Sequence, residues 1–172
     1  MRLLIASGAD VNAICKRGRS MLHWALRSDS ATCCKVLHDA GAGVNLADND
    51  GWTMLMRCLR LVSEPEEIVE MLLHAGADVN FLDRQGINAL MHAVMIPSSG
   101  PFEKILQRVA DIEVRDHAGR TAVFHAVDCN DHFVISLLIN LDPSLTGKGI
   151  RSYTTQPRLR MSRQWVYSED HV

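Results

Sequence analysis

The sequence predicts an all-α helical solenoid: short helical hairpins joined by extended finger loops, about four copies of one unit plus an N-terminal half-unit. Three observations predict it. The phrase Ser20-Met21-Leu22-His23-Trp24-Ala25 returns as Thr53-Met54-Leu55-Met56-Arg57-Cys58, Asn88-Ala89-Leu90-Met91-His92-Ala93 and Thr121-Ala122-Val123-Phe124-His125-Ala126. Each copy follows a glycine by one residue, and Gly18, Gly51, Gly86 and Gly119 are spaced 33, 35 and 33 residues apart. A second phrase, Gly8-Ala9-Asp10-Val11-Asn12, recurs as Gly41-Ala42-Gly43-Val44-Asn45 and Gly76-Ala77-Asp78-Val79-Asn80 in the same register, with a weaker copy at Val109-Ala110-Asp111-Ile112-Glu113. Periods of this size mark stacked units that present a surface rather than enclose a reaction.

The first helix of each unit starts at Ser20, Thr53, Asn88 or Thr121, all residue types whose side-chain oxygen accepts from an unpaired N–H of a first helical turn. Leu22, Leu55, Leu90 and Val123 supply its buried knob, and Ala25, Cys58, Ala93 and Ala126 are small where neighbouring helices approach. The second helix carries its apolar stripe on Cys33, Cys34, Val36 and Leu37, then Ile68, Val69, Met71 and Leu72, and finally Val134, Ile135, Leu137 and Leu138. In the second unit, Ser63-Glu64-Pro65-Glu66 reads as a capping box. Pro97-Ser98-Ser99-Gly100-Pro101 in the third predicts a shortened, looser helix around Phe102 to Arg108. Gly8, Gly41 and Gly76 fall where a left-handed C-cap is wanted.

The two phrases together resemble the ankyrin repeat family, whose T-P-L-H-x-A core the first phrase follows, over roughly residues 1 to 145. On that register, 1–14 is the remnant of a truncated repeat. Residues 15–47, 48–82 (with a two-residue insertion) and 83–115 (with an irregular second helix) are repeats, 116–145 is a degenerate repeat, and 146–172 is a basic tail expected to be disordered. Leu3, Leu4 and Ile5 belong to a second helix without its first, so both ends look cut and an apolar face is expected to stand open at the N-terminus.

Composition narrows the function. No apolar run approaches the ~18 residues of a membrane span, and the first residues are too short an apolar stretch for a secretory signal. Five cysteines with no C-x-x-C pair fit a reducing compartment, which predicts an intracellular protein, cytoplasmic or nuclear. Cys33, Cys34 and His38 share a helix, but the matching positions of the next unit are Ile68, Val69 and Leu73, so they read as buried apolar substitutes; no metal and no cofactor is expected. His92 and His125 recur at 33 residues with no carboxylate or nucleophile recurring beside them, which gives an enzyme no support.

Charge placement is the functional clue. Lys148, Arg151, Arg158, Arg160 and Arg163 against Glu169 and Asp170 make the tail positive, so the chain's net −2 leaves the repeats acidic. Within them, finger tips and adjacent helix ends carry Lys16, Arg17, Arg19, Arg27, Arg60, Arg84 and Arg120 against Asp50 and Asp128, interspersed with Trp52, Leu61, Ile87, Met95 and Ile96. The resemblance implies that this concave face binds a protein partner. A basic rim around an aromatic anchor suits an acidic segment with an embedded apolar residue. No small-molecule substrate is expected, and the absence of regularly interleaved stacking aromatics argues against nucleic acid. The expected function is therefore a non-catalytic adaptor or scaffold module. The alternative is a fragment or isoform of a larger protein whose catalytic, channel or ubiquitin-ligase-recruiting segment lies elsewhere. Asn12 and Asn80 resemble sites at which asparaginyl hydroxylases modify ankyrin repeats, against the simpler role of holding the turn by local side-chain bonds.

Overall fold

A computed structural model describes residues 8–26, 31–96, 99–109 and 111–141. Arg27, Leu3 to Ile5, Pro97, Ser98 and the whole 146–172 tail lie outside the described residues. Eight helices are seen among them: α1 (Met21–Ala25), α2 (Ala31–Asp39), α3 (Met54–Leu61), α4 (Glu66–His74), α5 (Ala89–Val94), α6 (Ser99–Leu106), α7 (Ala122–Asp128) and α8 (His132–Leu141). The odd-numbered helices pack successively as an inner row; α2, α4 and α6 stack as an outer row, and α8 packs on α7.

The apolar stripes explain this layering. Leu22, Leu37, Leu55, Leu72, Leu90, Phe102, Ile105, Val123 and Leu138 are all essentially inaccessible and belong to one continuous core. Each helical pair buries its stripe only against the next, so cohesion is distributed along the row.

Helix starts depart from expectation in an instructive way. Asn88 caps α5 through its side chain, which accepts from the Met91 N–H at 3.0 Å. Ser20 forms a capping box with His23: the hydroxyl also lies 3.0 Å from the ring Nδ1, and the Ser20 N–H donates to the same nitrogen at 3.3 Å. In the second unit Met56 replaces that histidine, and the buried Thr53 hydroxyl is left with no partner. The capping box expected at Ser63 to Glu66 does not form. Pro65 occupies the N-cap, with Glu66 and Glu67 in the first turn. The second helix of the third unit, α6, is shorter than α2, α4 and α8, as expected, but not looser: it begins at Ser99, includes Gly100 and Pro101, and buries Phe102 and Ile105 completely. Pro101 is the third helical residue, where the N–H has no intrahelical acceptor to lose.

The fingers repeat bond for bond. In each, the N–H of the first residue (Cys15, Asp48, Asp83, Asp116) donates to the carbonyl four residues on (Arg19, Trp52, Ile87, Arg120) at 2.9–3.0 Å. The glycine three residues on donates back to the first residue's carbonyl at 2.8–3.0 Å. Consecutive fingers are stitched by Asn49 N–H to the Arg17 carbonyl, Arg84 N–H to Asp50 and His117 N–H to Gln85, at 3.0, 3.2 and 2.9 Å. Gly51 and Gly86 sit at these seams with φ of +80° and +78°, and a Cβ on either would approach the next finger's backbone within about 3 Å. Both the turn and the close approach therefore require glycine.

Candidate functional site

Each finger from the second onward is held from inside by a buried aspartate. Oδ1 of Asp48 accepts from the N–H groups of Asp50 and Trp52, both at 3.0 Å; Asp83 does the same for Gln85 and Ile87, and Asp116 for Ala118 and Arg120, at 2.8–2.9 Å. Oδ2 faces the residue nine positions on. Asp48 takes Arg57 through Nε at 2.9 Å and Nη2 at 2.5 Å. Asp83 takes His92 Nε2 at 3.3 Å, and Asp116 takes His125 Nε2 at 3.1 Å together with Arg120 Nε at 2.9 Å. In the first finger Cys15 stands in the aspartate's place, its thiol pKa lowered chiefly by the Arg17 N–H.

A carboxylate does recur beside His92 and His125, contrary to the sequence expectation. Asp83 and Asp116 keep the 33-residue step, always three residues before the finger glycine. Their role is structural. One oxygen of each is committed to two backbone donors, and His92 and His125 are buried in the array, with no nucleophile recurring at this position. Burial pushes the His92 pKa down despite Asp83; burial and then the Arg120 charge push His125 down. For Asp48, burial alone would raise the pKa, but Arg57 and the N–H groups of Trp52 and Asp50 outweigh it and hold the carboxyl below its ordinary range. His23 binds across the seam, its Nε2 lying 3.2 Å from the Trp52 carbonyl.

The structure divides the basic and apolar residues singled out in the sequence. Arg19 turns inward, its Nε 3.8 Å from Asp48 Oδ2. Arg120 is held by Asp116 and lies 3.8 Å from Asp128. Neither is a free rim cation. Ile87 is a correction: it is 7% exposed and belongs to the core, because its alternation within the finger points it down onto the helices. Met95 and Ile96 are only partly exposed and pack on that core. Leu61, by contrast, is 62% exposed. Lys16, Arg60 and Arg84 have no carboxylate partner among the described residues, and all three are exposed. Arg17 is exposed on the first finger.

Trp52 is half-buried and not a free knob. Its ring lies 4.6 Å from the His92 ring, with the Arg57 guanidinium 4.6 Å and that of Arg60 5.6 Å from its centroid. Asp50, Trp52, Arg57, Arg84 and Gln85 line a shallow pocket of about 380 Å³ between the second and third fingers. Arg57 and Gln85 escaped the sequence reading, and Asp50 entered it only as an opposing charge, because their proximity depends on how two fingers meet.

A family model described as ankyrin repeats (3 copies) matches residues 1–83 and again 65–149. The chain belongs to the ankyrin repeat family. Ankyrin repeats generally mediate protein–protein interaction and are typically non-catalytic. Ankyrin repeat protein 14 of Vaccinia virus (strain Western Reserve) is 34% identical to this chain over 64 residues, which is 37% of this chain and 27% of that relative. This ankyrin chain thus aligns with well under two thirds of its viral relative. No helix among the described residues is long and apolar enough to cross a membrane.

The remaining candidates also have places in the ankyrin array. Asn12 is exposed but spans a repeat boundary: its Nδ2 donates to the Gly41 carbonyl at 3.2 Å and its Oδ1 accepts from the Gly43 N–H at 2.8 Å. Asn45 repeats this with Gly76 and Asp78. Asn80 is exposed, with its N–H bonded to Asp78. Cys34 is fully buried, its thiol pushed up to about 11 mainly by burial, and Cys33 is partly buried beside it.

Proposed function

We propose that this ankyrin array is a non-catalytic adaptor that binds a protein partner through its finger and inner-helix face. The observation that supports this reading is the ground between the second and third fingers, where Trp52 is supported by two guanidiniums at the wall of an open pocket and the exposed Arg60 and Arg84 lack internal counter-ions. The array satisfies its buried carboxylates internally, at Asp48, Asp83 and Asp116. Exposed cations beside a half-buried aromatic suit an acidic segment carrying an apolar residue.

The test uses any partner recovered by affinity purification. Trp52→Ala should speed dissociation and cost about 2 kcal/mol of binding. The double reversal Arg60→Glu with Arg84→Glu should slow association, most at low salt. The control belongs at Glu67, exposed on α4. Glu70 is unsuitable, because its carboxylate is paired with Lys104 of the next repeat. If Glu67→Arg releases the partner while the finger variants, folded by circular dichroism, retain it, binding lies on the outer row and the reading fails.

A further inference from the structure

The pocket between the second and third fingers has a charge inventory that selects among acidic ligands, and the inference drawn from it rests on the protein-binding reading above. We propose that this pocket receives one side-chain carboxylate, from an aspartate or glutamate in an extended segment of the partner, and that Asp50 restricts it to a monoanion.

Three guanidiniums surround the Trp52 ring and pocket, Arg57, Arg60 and Arg84, and a fourth, Arg19, lies with its Nε 3.8 Å from Asp48 Oδ2. Three carboxylates answer them. Asp48 lies behind and is bound by two Arg57 nitrogens, and Asp50 stands at the edge, its side chain 70% exposed and 3.4 Å from Arg57 Nη2. Asp83 is buried in the same finger as Arg84 and Gln85, against His92, whose pKa burial pushes down. One positive charge remains uncompensated. A single carboxylate neutralises it, whereas a phosphate dianion would exceed it and lie against Asp50. Arg57 and Arg60 already lie close to the Trp52 ring, so a lysine or methylated ammonium would meet like charge beside the aromatic surface it prefers.

The geometry supplies a role for each residue. Arg57 is pinned by Asp48 and fixes the wall. Arg84 carries the adaptable donors, and its backbone is held against the pocket by its own N–H to the Asp50 carbonyl at 3.2 Å. The Trp52 ring gives the methylenes of a glutamate an apolar surface, and the exposed Gln85 amide adds a neutral donor at the rim.

The experiment titrates the full chain at low ionic strength with three probes: N-acetyl-glutamate N-methylamide, its glutamine counterpart and its phosphoserine counterpart. The readout is the Trp52 indole N–H resonance, assigned by its loss in Trp52→Phe. The glutamate probe should move this resonance saturably, the glutamine probe should not, and phosphoserine should bind more weakly than glutamate. Arg84→Gln should weaken the glutamate probe roughly five- to tenfold, as loss of a charge-assisted contact requires. Asp50→Asn should bring phosphoserine level with glutamate or ahead of it. The proposal is overturned by equal shifts from the glutamate and glutamine probes, by phosphoserine binding tighter than glutamate to the unaltered protein, or by no saturable shift. If any of these occurs while Trp52→Ala still releases a captured partner, the carboxylate pocket is wrong and the finger-face reading stands.

Discussion

In the finger at residues 48–57, Asp48 clamps the turn with one oxygen and gives the other to Arg57. In the finger at residues 83–92, Asp83 clamps the same turn and gives its other oxygen to His92. The Arg57 side chain is 15% exposed and that of His92 1%. Trp52 stays half outside on the Arg57 guanidinium, whereas Ile87, its equivalent in the next finger, lies within the core. One set of backbone bonds thus carries two different surfaces. The shared aspartate holds the turn, and in these two fingers the residues four and nine positions on set how much charge and aromatic surface remain available above it.

The sharpest way to break this comparison is to remove a clamp. Asp48→Ala frees two backbone donors and leaves Arg57 without its main counter-ion, and should cost about 3–5 kcal/mol. Asp83→Ala should cost somewhat less, because neutral His92 loses a hydrogen bond rather than a counter-charge. Asn substitution separates the two: Asp83→Asn should be tolerated at about 1–2 kcal/mol, since a neutral imidazole accepts from an amide. Asp48→Asn, facing a permanent cation, should remain near the alanine cost. Chemical denaturation of the four variants checks this, and equal Asn costs at both sites would show that the partner's charge is irrelevant.

Next in size are the seams. Gly119→Ala has nothing within 4 Å of the new Cβ and should cost only the left-handed strain, about 1–2 kcal/mol. Gly51→Ala and Gly86→Ala add contacts at 2.9 Å, with Arg84 N and His117 Cδ2 respectively, and should cost more. Thermal unfolding ranks them. Parity would mean that the fingers are not rigidly stitched.

Acid should act more gradually. His23, His92 and His125 have pKa values held below the ordinary 6.5, first by burial. The unfolded chain therefore binds more protons than the folded one just below that value, so stability is full above it and falls as pH drops through 6.5 toward the folded values. Asp48, Asp83 and Asp116, held below the ordinary 3.8, add a second loss below that value. Melting temperature measured from pH 8 to pH 5 should decline. His92→Gln and His125→Gln together should flatten the decline, and an unchanged slope would place the proton uptake elsewhere.

The smallest effect distinguishes the helix starts. Asn88→Ala should lose about 1 kcal/mol with its cap bond. Thr53→Val removes a buried hydroxyl that has no partner and should leave stability unchanged or raise it by up to about 1 kcal/mol. Met56→His should instead give Thr53 the partner that Ser20 has in His23. Loss of stability in Thr53→Val would show that the hydroxyl is satisfied.

The repeating helices and their register were legible because local rules and the 33- and 35-residue steps agree: cap residues, apolar stripes and turn glycines recur together. The finger clamp was also written in the sequence, as an aspartate three residues before each glycine from the second finger onward, but it is visible only when aligned with the position nine residues later. Arg19 and Arg120 read as surface cations because sequence spacing does not reveal which carboxylate a long side chain will reach. Ile87 read as exposed because it holds the same finger position as Trp52, and the spacing does not show that this position is half outside in one repeat and buried in the next.

By itself the sequence determined that short amphipathic helices alternate with tight glycine turns, since propensity, capping and periodicity act over a few residues. Only the tertiary structure decided which charges remain uncompensated. Asp50, Arg57 and Arg84 become neighbours when the third finger bonds to the second, and a Coulombic pairing depends on distance through space rather than separation along the chain.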